Sequence, residues 1–204
     1  MTVTADAIQA ATGGGRRPPP TVTAPSSRDR FRPSREAEAR LLLLIDAFSR
    51  KANGVPRHLE GRVKLAKLDF LLRYPRHLRR VLLAHGANPN QVAGLDPDEA
   101  PLDARMMRYR YGPWDPSYFA VLGSLIGRGL VEVTPLGGGG GLGYRTSQAG
   151  ADVAENIRSD ESFISLADRL TLLRRYLDKS GTTLKNYLYE LPEIADANWY
   201  EDLT

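Results

Sequence analysis

The chain has 204 residues, a formal net charge of +4 and 42% hydrophobic residues, enough for one core of ordinary size once polar ends are set aside. It has no cysteine, which excludes disulfides, zinc–thiolate and iron–sulfur centres, and thiol nucleophiles. Its longest apolar run, Leu41–Ile45, falls far below the roughly 20 residues that span a bilayer, and Met1–Ala11 lacks a secretory pattern, so the chain reads as cytoplasmic with no membrane partner.

Met1–Pro33 carries triple glycine, triple proline and a Thr/Ser/Pro stretch, and reads as a disordered tether. Its arginines (Arg16, Arg17, Arg28, Arg30, Arg32) have the chemistry to touch phosphates nonspecifically. Order is expected from Ser34, an N-cap residue after Pro33, followed by a helix over Arg35–Lys51. Because Leu41–Ile45 is apolar all round, that helix should be enclosed by neighbours. After a break at Asn53–Pro56, a second helix is predicted over Leu59–Arg73, with Leu65, Leu68, Leu71 and Leu72 inside and Arg62, Lys64 and Lys67 outside. Pro75 disfavours helical geometry at Tyr74, and a short third helix runs over Arg76–Ala84 to Gly86. Ala87–Leu102 reads as a loop.

Arg105–Tyr111 alternates Met107, Tyr109 and Tyr111 with Met106, Arg108 and Arg110, the mark of a strand with unlike faces, closed by Gly112-Pro113. Asp115 and Pro116 then signal a helix start, and Gly129 its end. Phe119, Leu122 and Ile126, with Tyr118, Val121 and Leu125, give this helix a wide apolar face. Its predicted exposed positions are Ser117, Ala120, Ser124 and Arg128. Strands follow at Leu130–Thr134 and Leu142–Thr146, joined by a turn with five consecutive glycines from Gly137, and Ser147 caps a helix over Gln148–Arg158. Helix, hairpin, cap and helix in this order define a mainly α fold with a small β-hairpin, built on a winged helix-turn-helix core at 105–158 with flanking helices at 34–104 and 159–194. The last of these are predicted at Glu161–Asp178 and Leu184–Leu191, and 195–204 reads as an acidic tail.

A sequence-reading helix needs hydrogen-bond donors on its outer face, and a wing needs charge to hold phosphate. The helix offers small residues and a single cation, and the wing tip no charge, so the core is expected to face a protein more readily than bases. Charge is unevenly distributed: from Arg50 to Arg80 ten Lys or Arg stand against Glu60 and Asp69, whereas Asn186–Thr204 has five acids and no Lys or Arg. The basic stretch is either a solvated helix face or a surface for a polyanion. The candidate DNA-binding residues are Lys64, Lys67, Arg73, Arg76, Arg79 and Arg80. The candidate partner-binding residues are Arg110, Tyr111, Trp114 and Tyr118, the last three also being candidates for ordinary core.

No catalytic centre, metal, cofactor or small-molecule substrate is expected. The glycine run lacks the Gly-Lys-Ser/Thr of a phosphate loop, His58, His77 and His85 lack metal-site spacing, and the acid pairs fall in loops or the tail. Four stretches, Lys64–Pro75, Met107–Asp115, Gly129–Val131 and Ser180–Asn186, together resemble the middle components of bacterial ABC-three-component systems. The most distinctive are Arg110-Tyr111-Gly112-Pro113-Trp114-Asp115 and Ser180-Gly181-Thr182-Thr183-Leu184-Lys185. These systems are similar to Lamassu-type antiviral defence operons, which pair an SMC/Rad50-like ATPase with an effector and a small middle subunit. The resemblance implies a non-enzymatic accessory subunit that bridges ATPase and effector, with nonspecific contact to duplex DNA held by the complex. It assigns no functional residues. A free-standing winged-helix transcription regulator is the alternative, and a toxin–antitoxin partner a third.

Overall fold

The computed structural model describes residues 33–51, 53–103, 105–139 and 141–203; the expected N-terminal tether lies outside them. Helix α1 (Arg35–Phe48) starts where the sequence places it. The Ser34 Oγ accepts the Ala37 N–H at 3.0 Å, and Glu36 and Glu38 lie in the first turn, where the helix dipole favours carboxylates. Leu41–Ile45 is wholly buried, since α1 packs against helices on several sides. The helix stops three residues before the expected Lys51, with Ser49 as its C-cap.

The second predicted helix divides in two. Leu59–Glu60 forms a short strand, β1, and α2 (Gly61–Arg73) begins directly after it, with Gly61 at φ +74° making the bend. Residues 64–73 of α2 are all buried, so α2 is the second central helix and not a surface one. Tyr74 leaves the helical region and Pro75 opens α3 (Pro75–Ala84). A 3-10 turn at Pro89–Val92, held by reciprocal Asn88 and Gln91 side-chain bonds, interrupts the loop that follows.

The expected single strand at 105–111 is one arm of a hairpin. Strand β2 (Met107–Tyr109) pairs antiparallel with β3 (Gly112–Trp114), and Gly112 at φ +117° turns the chain back, so Gly112-Pro113 belongs to the return strand. On β2 the side with Met106 and Arg108 faces inward, leaving Tyr109 and Tyr111 outside. The chain end supplies a third row. Glu201 O accepts from Arg108 N–H, Tyr200 N–H donates to Arg108 O and Leu203 N–H to Met106 O, each at 2.7 Å, while Leu203 is buried. Residues 200–203 are therefore held against β2 by backbone bonds and the apolar anchor Leu203, while Asp196, Glu201 and Asp202 stay exposed.

Helix α4 (Tyr118–Gly127) begins after a turn in which Asp115 Oδ1 accepts the Ser117 N–H at 2.8 Å, and Gly129 ends it. Strands β4 (Val131–Pro135) and β5 (Leu142–Thr146) pair from Val131↔Thr146 to Pro135↔Leu142, and β1 joins the far edge of β5 to give the antiparallel order β1-β5-β4. Ser147 caps α5 (Gln148–Arg158), its Oγ accepting the Gly150 N–H at 3.0 Å. A 3-10 turn at Glu161–Phe163 leads into α6 (Ile164–Tyr176), followed by α7 (Gly181–Tyr189), capped by Ser180, and the short α8 (Pro192–Ala195).

The start of α5 presses against the start of β4. A Cβ built on Gly150 would lie 1.9 Å from the Leu130 carbonyl oxygen, whereas one on Gly123 of α4 meets nothing within 4 Å. Gly150→Ala should therefore cost about 2–3 kcal/mol of unfolding free energy, as forced overpacking does. Gly123→Ala should add about 0.5–1 kcal/mol by restricting the unfolded chain. Urea melts of the two variants check both; equal effects would contradict the packing described.

Candidate functional site

Two side chains one helical turn apart on α2, Asp69 and Arg73, enter the interior together. Both are wholly buried. Asp69 Oδ1 accepts from Arg40 Nε of α1 at 2.8 Å, and Oδ2 accepts from the Tyr118 hydroxyl of α4 at 2.7 Å, with Arg73 Nη1 at 3.6 Å. Arg73 Nη1 donates to Asp115 Oδ2 at 2.7 Å and its Nε to the Leu102 carbonyl at 3.1 Å. Arg40 Nη1 reaches Asp103 at 3.0 Å. Burial lowers both arginine pKa values, but the neighbouring acidic groups together outweigh it and hold both guanidiniums above their ordinary value. Asp69 comes first among them, joined by Asp103 at Arg40 and by Tyr118 and Asp115 at Arg73. Burial, reinforced by Asp69, pushes the Tyr118 hydroxyl well above its usual range, so it stays a protonated donor. The cluster ties α1, α2 and the β3–α4 junction to one carboxylate.

That junction forms a wall of a surface groove of about 440 Å³ between the β2–β3 hairpin, the first turn of α2, the start of α4 and the start of β5. Its lining is aromatic and aliphatic. Trp114 stands edge-on to Phe119 at 5.9 Å and to Tyr118 at 5.3 Å, and lies 6.2 Å from Tyr109, which is 5.8 Å from Tyr200. Phe119 (59% exposed), Tyr111 (51%) and Tyr200 (65%) leave much of their rings in solvent. Val63 and Leu142 add exposed aliphatic surface to the same groove. The Arg62 guanidinium lies over the Phe119 ring, 4.5 Å from its centroid, and Arg110 lies over Tyr111 at 5.3 Å. An exposed patch of this size and composition is the kind of surface that a protein partner covers.

Of the sequence-derived partner residues, Tyr111 and Trp114 line this groove, and Arg110 lies at its edge over the Tyr111 ring. Tyr118 is corrected: it is wholly buried beneath the groove, its hydroxyl committed to Asp69. Phe119, Arg62 and Tyr109 also line the groove and were missed. Phe119 and Ile126 are exposed (59% and 38%), not part of the core face, because α4 carries more apolar residues than one buried side accommodates. The small residues expected outside are partly covered, and Ser124 and Arg128 both bond Glu38 of α1, Arg128 at 2.8 Å.

The basic set separates. Lys64 is buried and donates to Glu60 at 2.7 Å, Lys67 is buried and donates to the Gly181 carbonyl at 2.8 Å, and Arg73 belongs to the internal cluster. These three are corrected as DNA contacts: α2 is enclosed by α6, α7 and β3, so its cations face protein. Arg76, Arg79 and Arg80 on α3 reach the surface, although Arg80 pairs with Glu193 at 2.6 Å. Among the described residues there is no group of His, Asp or Glu side chains able to hold a metal ion, and no helix is long and apolar enough to cross a membrane. Comparison with protein families, curated proteins and solved structures finds no match for the chain.

Removing the Asp69 charge leaves two arginines buried with weakened compensation. Asp69→Asn should cost about 3–5 kcal/mol by urea unfolding, and Tyr118→Phe about 1–3 kcal/mol. A second prediction concerns Lys67, whose pKa is pulled down to about 8 by burial first and the nearby Lys185 second. Between pH about 8 and about 10 the unfolded chain keeps a proton that the folded chain has released, so Lys67 makes stability rise with pH through that window. Above it, Tyr74, Tyr118 and Tyr144, whose folded pKa values are raised, act in the opposite sense. Lys67→Met should flatten the rise relative to wild type; parallel stability–pH curves would contradict the assignment.

Proposed function

We propose that this protein is a non-enzymatic, winged-helix adaptor that holds a protein partner at the aromatic groove: the middle subunit between an SMC/Rad50-like ATPase and its effector, as the sequence resemblance implies. The topology supports the winged-helix reading. Helix α1, strand β1, helix α2, helix α4 and the β4–β5 hairpin follow one another with sheet order β1-β5-β4, and residues 74–117 form an insert between the second and third helices of the unit.

The observation that carries the adaptor reading is the outer face of α4, the helix that would enter the major groove in a base-reading protein. That face presents Phe119, Gly123 and Ile126, while its cation Arg128 is bound to Glu38. Base edges are read by donors and acceptors, and an apolar face offers none. Apolar rings beside arginine are instead the chemistry of binding hot spots. Nonspecific DNA contact, as a secondary property, would rest on α3.

Tagged protein purified from its host should bring down a stoichiometric ATPase with long coiled coils, and Phe119→Asp with Tyr111→Asp should abolish recovery without unfolding the chain. Recovery of a dimer carrying specific DNA fragments would overturn the adaptor in favour of a transcription regulator. Replacing Arg76, Arg79 and Arg80 with Glu should weaken DNA retention and flatten its salt dependence, the log–log slope falling by about 0.9 for each phosphate no longer neutralised. An unchanged slope removes DNA contact from α3.

A further inference from the structure

The chemistry of the groove's occupant can be narrowed. On the surface, Arg57, Arg80, Arg128, Arg145 and Arg158 are each held by a carboxylate. Arg62 and Arg110 have no carboxylate partner among the described residues; several other arginines share this, but these two lie over rings that line the groove. The acid nearest to Arg62 along the chain, Glu60, is taken by Lys64 at 2.7 Å. Arg62 thus stands beside an apolar floor of Val63, Trp114 and Leu142, and Arg110 at the groove's edge over Tyr111, both without a carboxylate partner.

An occupant therefore needs both an apolar anchor and negative charge. Stacked bases satisfy this less well than a peptide does. Base platforms need open ring faces, whereas Arg62 occupies a face of Phe119 and Arg110 a face of Tyr111. The aliphatic parts of the floor match a side chain better than a flat base. The chain's own first 32 residues are excluded by charge, since they carry five arginines against two aspartates. Tyr200 has φ +69°, a conformation that a bulky residue adopts only under constraint. Its N–H bond to Arg108 O holds it there, so the ring beside Tyr109 is displayed outward.

We propose that the groove captures a short acidic segment of the partner protein, with one aromatic or aliphatic side chain seated between Trp114, Val63 and Leu142 and flanking Asp or Glu residues bound by Arg62 and Arg110. The inference rests on the adaptor reading and specifies its partner's chemistry. It follows the usual division in peptide recognition, where a pocket supplies affinity and charge fixes register.

The test uses the purified full chain and a display library of short random peptides. Selected peptides should share an apolar anchor flanked by Asp or Glu. Their affinity should fall about tenfold or more in the Arg62→Glu, Arg110→Glu double variant, since each contact turns from attraction to repulsion. Selection on that variant should yield Lys or Arg in place of the acids. Binders without acidic enrichment, affinity unchanged in the variant, or displacement of the peptide by single-stranded oligo(dT) would overturn the proposal. Self-association that the double variant abolishes would also overturn it, by assigning the groove to a second copy. Failure of the adaptor reading is distinguishable. Acidic binders without a co-purifying ATPase would leave the groove chemistry standing and remove that partner. An ATPase that still co-purifies with the double variant would do the reverse.

Discussion

Everything around the groove depends on one buried carboxylate. Asp69 holds Arg40 of α1 through one oxygen and Tyr118 of α4 through the other, and neutralises Arg73, which in turn fixes Asp115 at the β3–α4 junction. The cost of taking these charges out of water is large, and a core of leucines would be at least as stable. What the cluster provides is geometry: its hydrogen bonds have direction, and they set where the hairpin ends and α4 begins. Trp114 lies immediately before that junction and Phe119 immediately after Tyr118, so the rings outside are positioned by the ions inside.

The same burial changes the meaning of the basic stretch from Arg50 to Arg80. Read as a run of charge, it resembles one face for a polyanion. In the fold it is distributed among an internal ion cluster, a lysine tied to the start of α7 and a separate surface group on α3. Lys64 and Lys67 alternate with leucines on a helix with no outer face to offer them, because neighbouring elements surround α2. Charge along a sequence reports composition, and only the packing around a helix decides which charges meet solvent.

Where local chemistry decides structure, the sequence was a good guide. Ser34 and Ser147 cap helices because their hydroxyls satisfy the N–H groups three residues on, and those bonds form at 3.0 Å. The β4–β5 pair follows from alternation around a glycine turn. Non-local features were not legible. Strand β1 is two residues long and exists only because β5 lies beside it. The docking of 200–203 against β2 depends on backbone bonds between distant segments and on the single apolar residue Leu203. Of the site, Arg110, Tyr111 and Trp114 could be found because aromatic and arginine residues cluster in the sequence. Arg62 could not, since it reaches the groove from another part of the chain. The surplus of apolar residues on α4 was the available signal for Phe119.

If the groove, and neither α3 nor the β4–β5 turn, holds the partner protein, exchange protection will appear there. The measurement is hydrogen–deuterium exchange of the chain alone and in its native complex freed of DNA. New protection is expected at the first turn of α2, the β2–β3 hairpin and the outer face of α4, with α3 unchanged when no DNA is present. Protection confined to α3 or to the glycine turn, with the hairpin exchanging as in the free chain, would contradict a partner at the groove.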